Sequence, residues 1–285
     1  MNQPHLPSTI WFEILSAGFN AQSQSLSTTS DLTIFRKWAL RAGYVNFPFG
    51  VRTEADHAHL LQADTLHGIQ QMGVDLLRVN WPDRFGGYAN ARAIRLPEAN
   101  IPQLHAWSED QLDSDLRYKI RRSKREGVRL RHATLDDANK VFRLYLQTVQ
   151  RHGGRKRYSE AYFRALCRTS KHCPELVALI AETAEGEYCG FNISAYREGV
   201  AYYLHGGLED RHAHLRPGFV LMNEAIALAR DAGCHEFNFM PSPADQPSLL
   251  QFKKKWGAMA YNINHFDIPL SIKGRFIRAA LRWGR

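Results

Sequence analysis

Cysteine is scarce in this chain. Cys167, Cys173, Cys189 and Cys234 are the only thiols among 285 residues, and no two of them make a C-x-x-C pair. So few in so long a chain exclude a disulfide scaffold and point to reduced side chains of a cytosolic protein. Long apolar runs are also missing; none approaches the ~18 residues a membrane-spanning helix needs. The opening MNQPHLPSTIWFEILSAGF has no basic region ahead of its apolar part and carries Glu13 inside it, which argues against a secretory signal. No Walker loop, Rossmann glycine pattern or Ser-His-Asp spacing appears. HAHL occurs at 57–60 and again at 212–215. The first copy falls in an expected helix, where i and i+2 diverge, and no cysteine or carboxylate set completes a tetrahedral site, so no metal is expected.

What is present is apolar residues, at 44%, and positive charge, at a formal +9 with a pI of about 9.5. The first suffices for one large domain or two smaller lobes without a staple. The second favours polyanionic partners: nucleic acid, nucleotide phosphates, pyrophosphate-linked lipids or an acidic membrane face.

Along the chain, LTIFRKWAL, AGYVNFPFG and VDLLRVNWP read as strands, with a helix over 53–72 ending near Gly73. FGGYANARAIRLP reads as a turn and a strand, and EANIPQLHAWSEDQ leads towards a helix. That helix, DQLDSDLRYKIRRSKREG, sets Leu116, Ile120 and Ser123 on one narrow face and bases on the remainder, with Gly127 as its cap. It reads either as a solvated helix or as a phosphate-tracking surface. Beyond it come the strand VRLRHAT, helices over 135–150 and SEAYFRALCRTS, and three strands, LVALIAET, YCGFNISAYRE and VAYYLHGGLE. The helix PGFVLMNEAIALARDAG, the strand CHEFNFMPS, the helix PSLLQFKKKWG and the strand AMAYNINHFDI close the series. This order is an α+β fold, a mixed β-sheet wrapped by helices. The tail SIKGRFIRAALRWGR sets Ile272, Phe276 and Ala280 against Lys273, Arg275, Arg278, Arg282 and Arg285. It would suit an anionic membrane surface, or dock on the sheet.

Four stretches together carry a resemblance to the GNAT superfamily, and within it to the Fem-type branch. They are LRYKIRRSKREGVRLR (116–131), YYLHGGLEDRHAHLRPGFVLMNEAIALARDAGC (202–234), FNFMPS (237–242) and LLQFKKKWGA (249–258). The likeness runs from Arg117 to Asp267 and implies two packed GNAT-like lobes with the N-terminal lobe shortened. The expected boundaries are 1–112, 113–270 and a basic tail, 271–285. Fem-type enzymes move an aminoacyl group from aminoacyl-tRNA to an amine of a cell-wall precursor or small molecule. The family has an acid where this chain has Asn238 and a glycine where it has Met240.

The resemblance implies that Phe252 and Lys253 meet the donor's ester carbonyl, where a fixed cation stabilises the developing oxyanion. Helical spacing turns successive lysines of FKKK by ~100°, so Lys254 and Lys255 face elsewhere, towards solvent or phosphate. Acyl-CoA enzymes cradle pyrophosphate on bare amides at a helix start. Here that loop reads LRPGFVL, in which Pro217 has no N–H. Gly218 and Arg216 remain to grip a phosphate, which favours a donor held along a basic surface. Arg117, Arg121, Arg122 and Lys124 would hold RNA, His205 is a candidate base by type, and Tyr203 a candidate for facing the substrate. No cofactor is expected, aminoacyl-tRNA being a co-substrate. Two alternatives stay open: an acetyl-CoA-dependent N-acetyltransferase, and a non-catalytic RNA-binding protein on the same fold.

Overall fold

The computed structural model describes residues 3–27, 29–37, 40–88 and 93–283, the side chains at 37 and 280–283 excepted. Positions 38–39 of the first expected strand, 89–92 of the expected turn, Arg285 of the tail, and the side chains of Ala280 and Arg282 lie outside this description.

In chain order the first elements are α1 (Ser8–Gly18), β1 (Ala21–Ser25), β2 (Asp31–Lys37), β3 (Leu40–Val45), α2 (Glu54–Leu60), α3 (Ala63–Gln71), β4 (Leu76–Pro82) and β5 (Ala93–Ile101). Next come α4 (Ser114–Arg125), β6 (Arg129–His132), α5 (Ala138–Arg151), α6 (Glu160–Ser170), β7 (Leu176–Glu182), β8 (Tyr188–Arg197) and β9 (Val200–Leu208). The chain closes with α7 (Pro217–Asp231), β10 (Glu236–Pro241), α8 (Pro247–Lys254), β11 (Met259–Pro269) and α9 (Ile272–Trp283). These elements belong to two compact units.

The larger unit takes the N-terminal residues through Gly18, then Ala99–Met240 and Gln246–Ala260. Its strands run in the order β10-β9-β8-β7-β6, with β10 parallel to β9 and the others antiparallel. Every residue of β8 is buried, as a central strand covered on both faces requires. One face carries α4 and α7, the other α5 and α6, and α1 packs on α6. Leu116, Ile120 and Ser123 are the buried residues of α4, so its apolar seam is as narrow as the spacing implies. Asp113 caps that helix by accepting from the Leu116 N–H at 2.7 Å.

The smaller unit takes Phe19–Glu98, Pro241–Asp245 and the chain from Tyr261 onward. Here the order is β1-β2-β3-β4-β11, with β3 parallel to β4 and β11 antiparallel to it. Its own core gathers Leu32, Val51, Ile69, Leu77, Trp81 and Phe266.

Several sequence expectations are corrected. The helix over 53–72 is two helices, α2 and α3, parted at Leu61 and Gln62; Thr53 caps the first by accepting from the Asp56 N–H at 3.0 Å. The stretch 98–111 approaches α4 through two 3-10 turns, Leu104–Ala106 and Glu109–Gln111. The chain does not divide at 112 and 270, because α1 belongs with α6 while β11 and α9 belong with β4. A side chain at Gly18, the last residue of α1, would collide with the Cβ of Tyr162 on α6, and the Ser159 Oγ donates to the Gly18 carbonyl at 2.9 Å.

Gly18→Ala therefore separates α1 from α6 and is expected to cost about 1–3 kcal/mol, the usual range for overpacking. Thermal unfolding followed by circular dichroism would show a midpoint lowered by several degrees.

Candidate functional site

Lys253, in the last turn of α8, is 3% exposed. Its Nζ donates to the Met240 carbonyl at 2.6 Å. Met240, the last but one residue of β10, lies in the left-handed region, with φ of 60°, and the Asn238 Oδ1 accepts its N–H at 2.8 Å. A glycine would take this conformation without steric cost, which accounts physically for the family residue at that position. The turn that follows α8 is fixed as well: Trp256 is fully buried, and its carbonyl accepts from the Trp107 Nε1 at 3.1 Å.

On the Phe252 side of α8, helices α4, α7 and α8 line a half-open cavity of about 390 Å³, whose wall includes Phe252 and not Lys253. Leu116 of α4, Phe219 of α7 and Phe252 of α8 give it an apolar lining. Lys119 and Lys255 bring cations, Asp115 an anion, and Ser248 and Gln251 neutral polar groups. The two phenylalanine rings stand 6.1 Å apart, edge to face, and the Lys119 Nζ sits 5.4 Å from the centre of the Phe219 ring. Lys119 also donates to Asp115 at 2.6 Å. That bond, aided by the charges of Lys255 and Arg216, holds the Asp115 carboxyl below its ordinary value. Asp115 and Phe219 were not singled out by sequence; Lys119 was read only as one of the bases of α4, and Lys255 as facing solvent or phosphate. The signal for Lys255 was its spacing from Ser248, Gln251 and Phe252, one helical face.

Arg216 precedes α7 in the left-handed region, with φ of 57°, and Pro217 opens the helix. Pro217 offers no N–H, and that of Phe219 turns back to the Arg216 carbonyl at 3.2 Å. Few amides are left facing outward at this helix start. The Arg216 Nη1 is buried without a hydrogen bond, while its charge acts on Asp115 and Glu126 of α4. Gly218 follows, with the Leu208 side chain close over its α-carbon.

The other expected residues part company at β9. Its register with β8 shifts between the Ile193–His205 and Ser194–Tyr203 pairs, a bulge that places Tyr203 and His205 on opposite faces. Tyr203 packs into the core beneath α4 and α7, and burial pushes its phenol up to about 12. His205 lies on the α5 and α6 face among the rings of Tyr145, Tyr158, Tyr162 and Phe163. It shares a hydrogen bond of 3.1 Å with the Tyr162 hydroxyl, and burial pushes its imidazole down to about 3. The sheet thus keeps His205 on the face away from the cavity-lining helices α4 and α7.

On α4, Lys119 is paired with Asp115 and Arg122 with Glu126 at 2.5 Å, and Lys124 stands 3.9 Å from Glu109. Arg117, Arg121 and Lys124 share a different face by helical spacing. Arg121 and Lys124 are exposed there, whereas Arg117 is half-buried with its Nε unpaired.

A family description, "Acetyltransferase (GNAT) domain", matches residues 111–254. The chain belongs to the GNAT acyltransferase family. No curated protein matches it in sequence. Among solved structures it is similar to FemX, with 13% identity, a TM-score of 0.64 and coverage of 94% of this chain and 93% of that one. It is similar also to L-PGS from Bacillus licheniformis, at 14% identity and TM-score 0.59, with 99% and 96% covered. A tandem GNAT protein from the clavulanic acid biosynthesis pathway gives 12% identity and TM-score 0.55, with 94% and 90% covered. At these identities the likeness establishes a Fem-like GNAT fold. The matched GNAT stretch contains the cavity lining except Lys255, the residue just beyond it.

His205 gives a pH test of this arrangement. Its folded pKa lies below the unfolded value of about 6.5, so the unfolded chain takes the proton first as pH falls. Stability is then lost from about pH 6.5 towards 3, at up to roughly 1.4 kcal/mol per pH unit for one such group. Urea unfolding at intervals between pH 7 and 5 should show a shallower slope for His205→Phe than for the wild type. Equal slopes would contradict a neutral, enclosed His205.

Proposed function

We propose that this GNAT acyltransferase moves an aminoacyl group from aminoacyl-tRNA to an amine of a cell-wall precursor or small-molecule acceptor, in the cytoplasm. The observation that carries this reading is the cavity: two aromatic rings and two lysines beside a helix start poor in free amides. Such a lining suits a terminal nucleoside stacked on Phe219 or Phe252, with its phosphates on Lys119 and Lys255. A CoA pyrophosphate depends more on the amides that Pro217 and Phe219 withhold. Arg216 would take a phosphate beside Gly218, and Arg117, Arg121 and Lys124 would follow the acceptor stem.

In the reaction a neutral acceptor amine adds to the ester carbonyl carbon. The new C–N bond forms, the carbonyl oxygen becomes an oxyanion, and the C–O bond to the ribose then breaks. The ribose oxygen leaves with the proton that the amine gives up. Lys253, held beside Phe252, supplies the positive charge that favours the oxyanion. It serves as a fixed cation and exchanges no proton. His205, neutral and enclosed, is given no role in proton transfer.

Incubation with a mixed pool of charged tRNAs and amine acceptors, followed by mass analysis, should reveal an aminoacylated product. Lys253→Met preserves length and removes charge; it is expected to lower transfer about 10²- to 10³-fold with tRNA affinity retained. Undiminished transfer would remove Lys253 from the chemistry. Replacing Lys119 and Lys255 by alanine should weaken tRNA binding and flatten its salt dependence by about two phosphate contacts. Tight acetyl-CoA binding by calorimetry without RNA affinity would assign the cavity to an acyl-CoA donor instead.

A further inference from the structure

Helix α9 turns an apolar ridge to solvent. Its inner side is pinned at one residue of the smaller unit, Asp75. The Asp75 carbonyl accepts from the N–H groups of Leu270 and Ser271 at 2.9 and 3.3 Å. The Ser271 Oγ donates to the Asp75 Oδ1 at 2.7 Å and accepts from the Gly274 N–H at 3.1 Å. Gly274 is buried, and any side chain there would collide with that same carbonyl. The opposite side carries Ile272 and Phe276, one turn apart and 72% and 73% exposed. Exposed Ala279 continues the ridge, and exposed Lys273 and Arg275 fall on its two flanks by helical spacing. Residues 271–285 contain five cations and no acid.

A surface helix of a water-soluble domain normally docks its apolar stripe and shows its charges. Here, among the described side chains, the close contacts come from a glycine and a capping serine, Ile277 is half-buried, and Ile272 and Phe276 face away. The geometry points to α9 as a docking face for an anionic lipid bilayer, with the helix lying along the surface. Ile272 and Phe276 enter the acyl boundary while Lys273 and Arg275 meet the lipid phosphates. Two crest side chains fall far short of the ~800 Å² per partner of a stable protein dimer, and two copies would bring like charges together. A nucleic acid would engage the cations and gain nothing from an isoleucine and a phenylalanine on the crest. Among the described residues no helix is long and apolar enough to cross a membrane, so the contact is peripheral. This inference is independent of the donor assignment, since its readout involves no acyl transfer.

The full chain is sedimented with vesicles of phosphatidylcholine alone, or containing about one third phosphatidylglycerol. Binding to the anionic vesicles is expected to exceed that to neutral ones by roughly tenfold or more and to fall with added salt. Ile272→Ser combined with Phe276→Ser should weaken it about tenfold, with the circular dichroism and melting temperature unchanged. Lys273→Gln with Arg275→Gln should abolish the preference for anionic lipid. Absent binding, equal binding to both vesicles, or an undiminished double serine variant overturns the proposal. A dimer that the serine variant dissociates, or tRNA affinity that it removes, in a protein that ignores vesicles, overturns it equally by assigning the face to a second copy or to RNA.

Discussion

The hydrogen bond from the buried Lys253 ammonium to the Met240 carbonyl sets the geometry of α8. Burying an ammonium is costly unless its hydrogen-bonding capacity is met, so this contact constrains both ends. At one end it fixes the turn of α8 that carries Phe252 into the cavity wall and Trp256 into the core. At the other it requires Met240 to hold a left-handed conformation, which costs a residue with a side chain roughly 1–2 kcal/mol. The Asn238 side chain accepts the Met240 N–H and helps to offset that strain. An aspartate at 238 could accept the same bond; asparagine does so without placing a second charge beside the ammonium.

Lys253, Lys119, Lys255, Arg121 and Lys124 stand in three environments. Lys253 is dry and fixed. Lys119 and Lys255 line a half-apolar cavity, with Asp115 sharing the charge of Lys119. Arg121 and Lys124 stand in water on α4, where the attraction for a single phosphate is weak and strongly screened. Charge thus passes from exposed helix to aromatic cavity to buried ammonium. The acid partners Asp115 and Glu126 matter to this grading, because they hold two of the α4 cations in place and leave the outer face for long-range attraction.

The order of elements from α4 to β11 was legible because its strands and helices carry strong periodicity. LVALIAET, YCGFNISAYRE and VAYYLHGGLE read as three successive strands, and Leu116, Ile120 and Ser123 foretell a thin seam. Elsewhere local pattern was insufficient. The break between α2 and α3 falls at Leu61 and Gln62, where no glycine or proline marks it. Helix α1 carries Trp11, Ile14 and Leu15 at helical spacing on its buried side, a signal that attention to a possible leader obscured. At the site, type and neighbourhood pointed to Lys253, but its burial depends on a carbonyl 13 residues away in a strained conformation. His205 was chosen for its chemistry; the bulge in β9, invisible in a sequence of alternating residues, turns it to the other face. The cavity joins three helices distant in sequence, so Leu116, Phe252 and Lys255 of its lining were named in advance but never as one site.

Both units draw on separated parts of the chain. Helix α1 is made before α6 and finds its place only once α6 has followed it, some 140 residues later. Strand β4 must wait for β11, nearly the whole length of the larger unit, before its second edge is paired. During synthesis the smaller unit therefore keeps an open strand edge until β11 has been made, exposed to mispairing. Completion of the last strand is the event that closes it.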